Sequence, residues 1–241
     1  MKIKFIGTGT MGSIERSNQS IEIDDILFDV GSGTVKKMEY LKWYTKDVNY
    51  LVISHFHADH IFDIPNFLIG RSIRKENTRK LPIIGGKGLK ERVIEIFYLA
   101  FGDGIERKYD NFENDYNVEF IELGNGESYE GDNFKITAYE LEHGFCKPIL
   151  GFLLEKEGKK VSYATDTINC DNLKKLINDS ECVLIDSTNI SGTKSHIGLE
   201  EVVELKEKYN DKRFMAIHRG DYDHNNVYNI EFPDDGDIIE I

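Results

Sequence analysis

The chain has 241 residues, enough for one medium domain with a sizeable core. Its net charge of −13 repels phosphate polymers unless bound cations or a local basic patch reverse the field, which weighs against broad nucleic-acid binding. Cys146, Cys170 and Cys182 lack any paired zinc-ribbon spacing, and no apolar stretch approaches the roughly 20 residues that span a bilayer, so reduced thiols and no membrane partner are expected.

The N-terminal apolar run stops at Gly7, so no signal peptide is visible and a cytoplasmic setting is expected. No linker, charge block or repeat divides the sequence, so residues 1–241 read as a single domain. Strands are predicted at Lys2–Ile6, Ser20–Ile23 and Ile26–Val30, with Asp24-Asp25 as a hairpin turn. Val35, Met38 and Leu41 give Thr34–Trp43 a helical spacing, with Thr34 as its expected cap. Tyr50–Ser54 is a buried strand ending in His-Phe-His. A helix follows from Asp59 to about Ile73, disturbed by Pro65. Then come a strand at Leu81–Ile84 and a helix at Leu89–Phe101. The second half predicts strands at Asn117–Leu123, Phe134–Leu141, Leu150–Glu155 and Lys160–Ala164, with Glu157-Gly158 as a hairpin turn. Leu173–Ile177 is a short helix, Cys182–Asp186 a strand, Leu199–Tyr209 an amphipathic helix and Phe214–Ile217 a strand. Two packed sheets covered by outer helices fit this order.

Gly7, Gly9 and Gly12 match the G-x-G-x-x-G fingerprint of a dinucleotide-binding turn, and Asp29 lies near the ribose-binding distance. That turn needs a helix directly after its third glycine. Ser13–Gln19 is polar without helical spacing, and the strand from Ser20 leaves too little chain for a crossover helix. The glycines therefore read as a strand exit at the rim of a site made by other loops.

That site is announced by Ser54-His55-Phe56-His57-Ala58-Asp59-His60. Three of the seven histidines crowd into this turn directly after a hydrophobic strand. Alternate side chains of an extended segment point the same way, so His55 and His57 can share one metal. The turn into a helix aims Asp59 and His60 elsewhere, at a second metal. Imidazole and carboxylate suit zinc, manganese or iron. His143, Asp166 and His218 each follow an apolar strand and complete the candidate ligands; His224 in a polar loop is the rival to His218.

HFHADH resembles the H-x-H-x-D-H signature of the metallo-β-lactamase fold hydrolases, and Phe28-Asp29-Val30-Gly31 resembles their early aspartate–glycine motif. The segment from Pro65 to Leu68, the IIGGKGL stretch from Ile83 to Leu89, and Ser195-His196-Ile197-Gly198 are similar to the ribonuclease Z branch. The resemblance implies a four-layer αββα sandwich. It implies a first metal on His55, His57 and His143, a second on Asp59, His60 and His218, and Asp166 as the bridge. Asp29 would orient a ligating histidine; a plain turn aspartate is the other reading. His196 would stand beside the scissile phosphate as a proton donor; a surface or capping histidine is its alternative.

The implied activity is metal-dependent hydrolysis of phosphodiesters, through a hydroxide bridging two divalent ions, zinc first and manganese or iron next. Asp59 would orient that hydroxide. Departures from the ribonuclease Z pattern shape the substrate expectation. Leu150-Gly151-Phe152-Leu153 lacks that branch's arginine, Asp186-Ser187-Thr188 replaces its glutamate–alanine–threonine, and Arg219-Gly220 follows His218. Arg219 would either reach a phosphate or lie on the surface. No glycine- and proline-rich arm for gripping transfer RNA is visible. A small or oligomeric phosphodiester is therefore expected, with transfer RNA the doubtful substrate. A thioesterase or lactonase is the alternative within the fold, and a mononuclear iron oxygenase stands behind both. Relatives of this fold often pair as homodimers.

Overall fold

The computed structural model describes residues 1–102, 111–224, 227 and 229–241. In chain order its first strands are β1 (Lys2–Gly7), β2 (Ser20–Ile23), β3 (Ile26–Phe28), β4 (Tyr50–Val52), β5 (Leu81–Gly85), β6 (Val118–Glu122) and β7 (Ser128–Glu130). The remainder are β8 (Phe134–Glu140), β9 (Leu150–Lys156), β10 (Lys159–Ala164), β11 (Cys182–Asp186), β12 (Arg213–Ile217) and β13 (Ile238–Glu240). The helices are α1 (Thr34–Tyr40), α2 (Ala58–Ile61), α3 (Ile64–Ile73), α4 (Leu89–Phe101), α5 (Phe112–Tyr116), α6 (Asp171–Asp179) and α7 (Leu199–Lys208).

One sheet runs β13-β1-β2-β3-β4-β5-β6 and the other β12-β11-β10-β9-β8-β7. Strand alternation divides their side chains between three cores. In β3, Ile26 and Phe28 face the opposite sheet, where they meet Phe152, Tyr163 and Leu184. Leu27 between them faces outward, with Leu51, Phe67, Val93 and Phe97 under the helices of the first sheet. Leu173, Leu176, Val202 and Leu205 of α6 and α7 cover Val183, Ile185 and Phe214 of the second sheet. Two covered faces explain the near-continuous apolar runs of the central strands. The result is the expected αββα sandwich.

The structure corrects several element boundaries. Gly33, at φ 90°, caps α1; Thr34 is the first helical residue and its side chain makes no cap bond. The helix expected from Asp59 breaks at Phe62-Asp63, because Pro65 in the first turn of α3 supplies no donor to continue α2. α5, β7 and β13 lie outside the predicted elements: both strands are only three residues long and largely exposed, and each edges its sheet. Both residues of the Glu157-Gly158 turn have positive φ, as a tight hairpin requires. β1 and β2 pair antiparallel, which excludes the dinucleotide unit. Gly7 and Gly9 serve close packing instead. A Cβ on Gly7 would fall 1.9 Å from the Asn18 carbonyl oxygen, and one on Gly9 2.6 Å from the Arg16 Cβ, whereas Gly12 has open space. No helix among the described residues is long and apolar enough to cross a membrane.

Candidate metal centre

Four strand exits converge at one edge of the sandwich. The segment after β4 supplies His55 and His57, and α2 supplies Asp59 and His60; β8, β10 and β12 of the other sheet lead to His143, Asp166 and His218. All seven candidate ligands of the sequence come together there. His55, His57, His143 and Asp166 form one group, and Asp59, His60 and His218 another, with ligand atoms of each group within 4.8 Å of one another. Asp166 stands between the groups. Its Oδ2 lies 3.6 Å from Nε2 of both His55 and His143. Its Oδ1 lies 3.2 Å from His60 Nε2 and from His218 Nδ1. Asp59 Oδ2 is 3.3 Å from His218 Nε2 and 3.7 Å from His60 Nε2. Asp29, Asp166 and His218 all have positive φ without being glycine, so the site is held in backbone conformations that the surrounding packing must enforce.

A metal-sized demand is written into this cluster. Nε2 of His55 and of His60 are buried with no hydrogen-bond partner. A buried unpaired polar atom costs about 1–3 kcal/mol, and a cation at each ring would remove that cost. The donor set of five imidazoles and two carboxylates fits divalent zinc, manganese or iron.

The other nitrogen of each ring is tied down. Asp29 is fully buried and its Oδ2 accepts from His60 Nδ1 at 2.7 Å, from Ser54 Oγ at 2.8 Å and from Tyr163 Oη at 2.7 Å, while its Oδ1 accepts from the Ser54 amide at 2.8 Å. Ser54 Oγ in turn accepts from His55 Nδ1 at 3.0 Å. One carboxylate thereby fixes the tautomer of two histidines and leaves both Nε2 lone pairs facing inward. The second sheet repeats the device. Thr188 Oγ1 donates to Asp186 Oδ1 at 2.8 Å and accepts from His218 Nδ1 at 2.9 Å. His143 Nδ1 donates to the Ser195 carbonyl at 2.6 Å.

His196 has its own place. Its Nδ1 donates to Asp186 Oδ2 at 2.8 Å, its ring stacks 5.6 Å from that of His218, and its side chain remains 18% exposed at the opening. Burial would lower its pKa, but the hydrogen bond and charge of Asp186 raise it above the ordinary histidine value. For Asp166, burial alone would raise the carboxyl; the charges of His218 and His60 outweigh it and hold the group well below the carboxylate range. Burial likewise opposes protonation of His218, yet Asp166, Asp186 and Asp59 push its pKa up to about 10. His55 goes the other way, lowered by burial and by the neighbouring imidazole of His60.

Sequence reasoning missed Ser54, Tyr163, Asp186 and Thr188 as supports. Only Asp186 carried a signal, since it ends a strand just as Asp166 and His218 follow one. Two residues are corrected. Arg219 neither lies on the surface nor reaches the site: it is buried, donates to Asp234 Oδ1 at 2.7 Å and packs over Phe232. His224 stacks on Phe232 at 4.1 Å and belongs to none of the ligand groups, which removes it as a rival to His218. The glycine loop does border the opening. Its Thr10 amide donates to the carbonyl of Arg219, the neighbour of His218, and Asp235 Oδ1 accepts from the amide and hydroxyl of Thr8.

The chain is similar to known proteins over its full length. A ribonuclease Z of Staphylococcus carnosus (strain TM300) is 24% identical over 281 aligned positions, covering 90% of this chain and 88% of that protein. The short form of human tRNase Z superposes with a TM-score of 0.77 at 20% identity, covering 100% of this chain and 99% of that one. YhfI of Bacillus subtilis, a metallo-β-lactamase fold protein, gives 0.77 at 14% identity over 99% of this chain and 98% of that one. These likenesses establish the fold. Residues 1–233 match the family described as anti-Pycsar protein Apyc1. With the sandwich, the histidine turn and that match in agreement, the chain belongs to the anti-Pycsar protein Apyc1 family, a family of metallo-β-lactamase fold.

Proposed function

We propose that this protein is a cytoplasmic two-metal hydrolase of small phosphodiesters, with residues 1–241 acting as one catalytic domain. The observation that carries the reading is Asp166, whose two oxygens each face a different group of imidazoles. His55, His57 and His143 would hold one divalent ion, Asp59, His60 and His218 a second, with Asp166 shared and zinc the first expectation. Two such ions acidify a water and offset the charge that grows on the phosphoryl oxygens. Asp59, with Oδ2 3.3 Å from His218 Nε2 and 3.7 Å from His60 Nε2, would accept a hydrogen bond from the attacking water and aim it. His196 supplies the complementary group: hydrogen-bonded through Nδ1 to Asp186 and favoured in its protonated form, it donates a proton to the departing oxygen. No protein nucleophile is required.

Two features support a small substrate. The net charge of −13 repels a polyanion, while a single diester can reach a cation-loaded cleft. The alignment with ribonuclease Z runs to 281 positions against a 241-residue chain, so the relative carries inserted segments that this chain lacks. Three free cysteines suit a reducing compartment. Turnover of bis-p-nitrophenyl phosphate, measured beside a thioester and lactone panel with metal quantified on the same sample, tests the reading. Thioester turnover without diester turnover would replace it with the alternative hydrolase.

Two further results are expected. His196→Ala keeps its metal content and loses roughly 10²-fold or more in kcat, as removal of a proton-transfer group does. Stopped assays with elemental analysis check both halves. Metal uptake at neutral pH is also expected to release protons, because Asp166, Asp186 and Asp59 push the pKa of His218 up to about 10 against the opposing effect of burial. Affinity therefore rises with pH until His218 deprotonates. Calorimetric titration in buffers of different ionisation enthalpy reads the proton count.

A further inference from the structure

The centre draws its ligands from both sheets, so its geometry depends on how the sheets are held across their seam. Behind the centre several hydrogen bonds cross that seam, among them the Leu150 amide to the Ser54 carbonyl, the His218 amide to Gln19 Oε1, and one that ends on the carboxylate holding His60. Tyr163, in β10, donates its hydroxyl to Asp29 Oδ2, just beyond β3, at 2.7 Å. Its ring is 1% exposed and lies 5.0 Å from that of Phe28, the neighbour of Asp29. Three residues further along the same chain segment, Asp166 faces the other side of the same histidine. The β10 segment therefore stands on both sides of His60: Nδ1 bonds Asp29, which Tyr163 holds, and Nε2 faces Asp166 Oδ1 at 3.2 Å without a hydrogen bond. His55 is served differently. Its Nδ1 reaches Asp29 only through Ser54, whose amide and hydroxyl both come from the first sheet.

This asymmetry separates the two ligand groups. The group of Asp59, His60 and His218 depends on the inter-sheet bond, and the group of His55, His57 and His143 depends on the Ser54 relay. We infer that Tyr163 is a positioning residue that sets the affinity of the His60-containing metal site and leaves the His55-containing site largely untouched. The inference rests on the two-metal reading above. The physical basis is direct. Without the phenol, Asp29 loses one of the three donors on Oδ2, its position is no longer tied to β10, and His60 is free to turn away from Asp166. Outer partners of this kind change metal affinity by roughly 10- to 100-fold.

Tyr163→Phe is the test variant, since it keeps the ring that packs on Phe28. Metal-free protein is titrated with zinc, and with cobalt(II) for its visible absorption, for wild type, Tyr163→Phe and Ser54→Ala. The expected result is two sites in wild type, with Tyr163→Phe weakening one of them about tenfold or more. The cobalt spectrum of that one site should shift, and Ser54→Ala should weaken the other. Equal weakening of both sites by Tyr163→Phe, together with a matching fall in the melting temperature of the metal-free protein, would overturn the inference in favour of a purely structural tyrosine. Unchanged affinities would overturn it too. A wild type that binds no metal would overturn the two-metal reading itself, which the wild-type titration alone reveals.

Discussion

Asp166→Asn is expected to reduce phosphodiester turnover to background, a loss larger than the roughly 10²–10⁴ contributed by a single proton-transfer group. The reason is geometric and electrostatic together. Each carboxylate oxygen of Asp166 faces two imidazole nitrogens, at 3.6 Å on one side and 3.2 Å on the other. An amide would keep one oxygen for one group and turn an NH₂ toward the other, placing donors where acceptors are needed. It would also delete the one buried negative charge common to both groups. Steady-state kinetics on bis-p-nitrophenyl phosphate with metal quantified in parallel separates the outcomes. Turnover within tenfold of wild type with two metals bound would remove Asp166 from the centre and the two-metal reading with it.

The second large effect is on stability as well as loading. Asp29→Ala strands the Ser54 amide, the Ser54 and Tyr163 hydroxyls and His60 Nδ1, all buried donors that now converge on one carboxylate. Breaking a buried charged hydrogen-bond set by removing one partner costs about 3–5 kcal/mol. Denaturant unfolding of the metal-free protein should show that loss, and metal affinity should fall by roughly 10- to 100-fold at both groups, because Asp29 orients His60 directly and His55 through Ser54. If the alanine variant does not fold, Asp29→Asn preserves the volume and asks the same question through affinity alone. A stability loss below about 1 kcal/mol would show that the network is ornamental to the fold.

Much of this candidate site was legible in the sequence for one physical reason: its candidate ligands sit where apolar strands end, and apolar strands are the easiest elements to read. His55, His57, Asp59, His60, His143, Asp166 and His218 were all placed by that rule or by the histidine turn. Their supports obey a different rule. Tyr163 meets Asp29 across 134 residues of sequence and across two sheets, and nothing local to Tyr163 distinguishes it from a core aromatic. Arg219 was misjudged because an arginine beside a ligand invites a phosphate, whereas a chain segment 14 residues later had already claimed it. The edge strands β7 and β13 escaped notice because three-residue segments are too short to show a strand period of their own and gain their strand character from the neighbour they pair with.

The wide spacing of the ligands along the chain also sets an order of assembly. His55 must await Asp166, and Asp59 must await His218, before either group has its full complement. The glycine loop at the opening is fastened later still, by Asp235, 227 residues after Thr8. A chain emerging from the ribosome therefore passes through a long interval in which half a centre exists and no chemistry can occur. The second group gains its last member only at His218, so a chain ending before that residue would carry an incomplete set of candidate ligands.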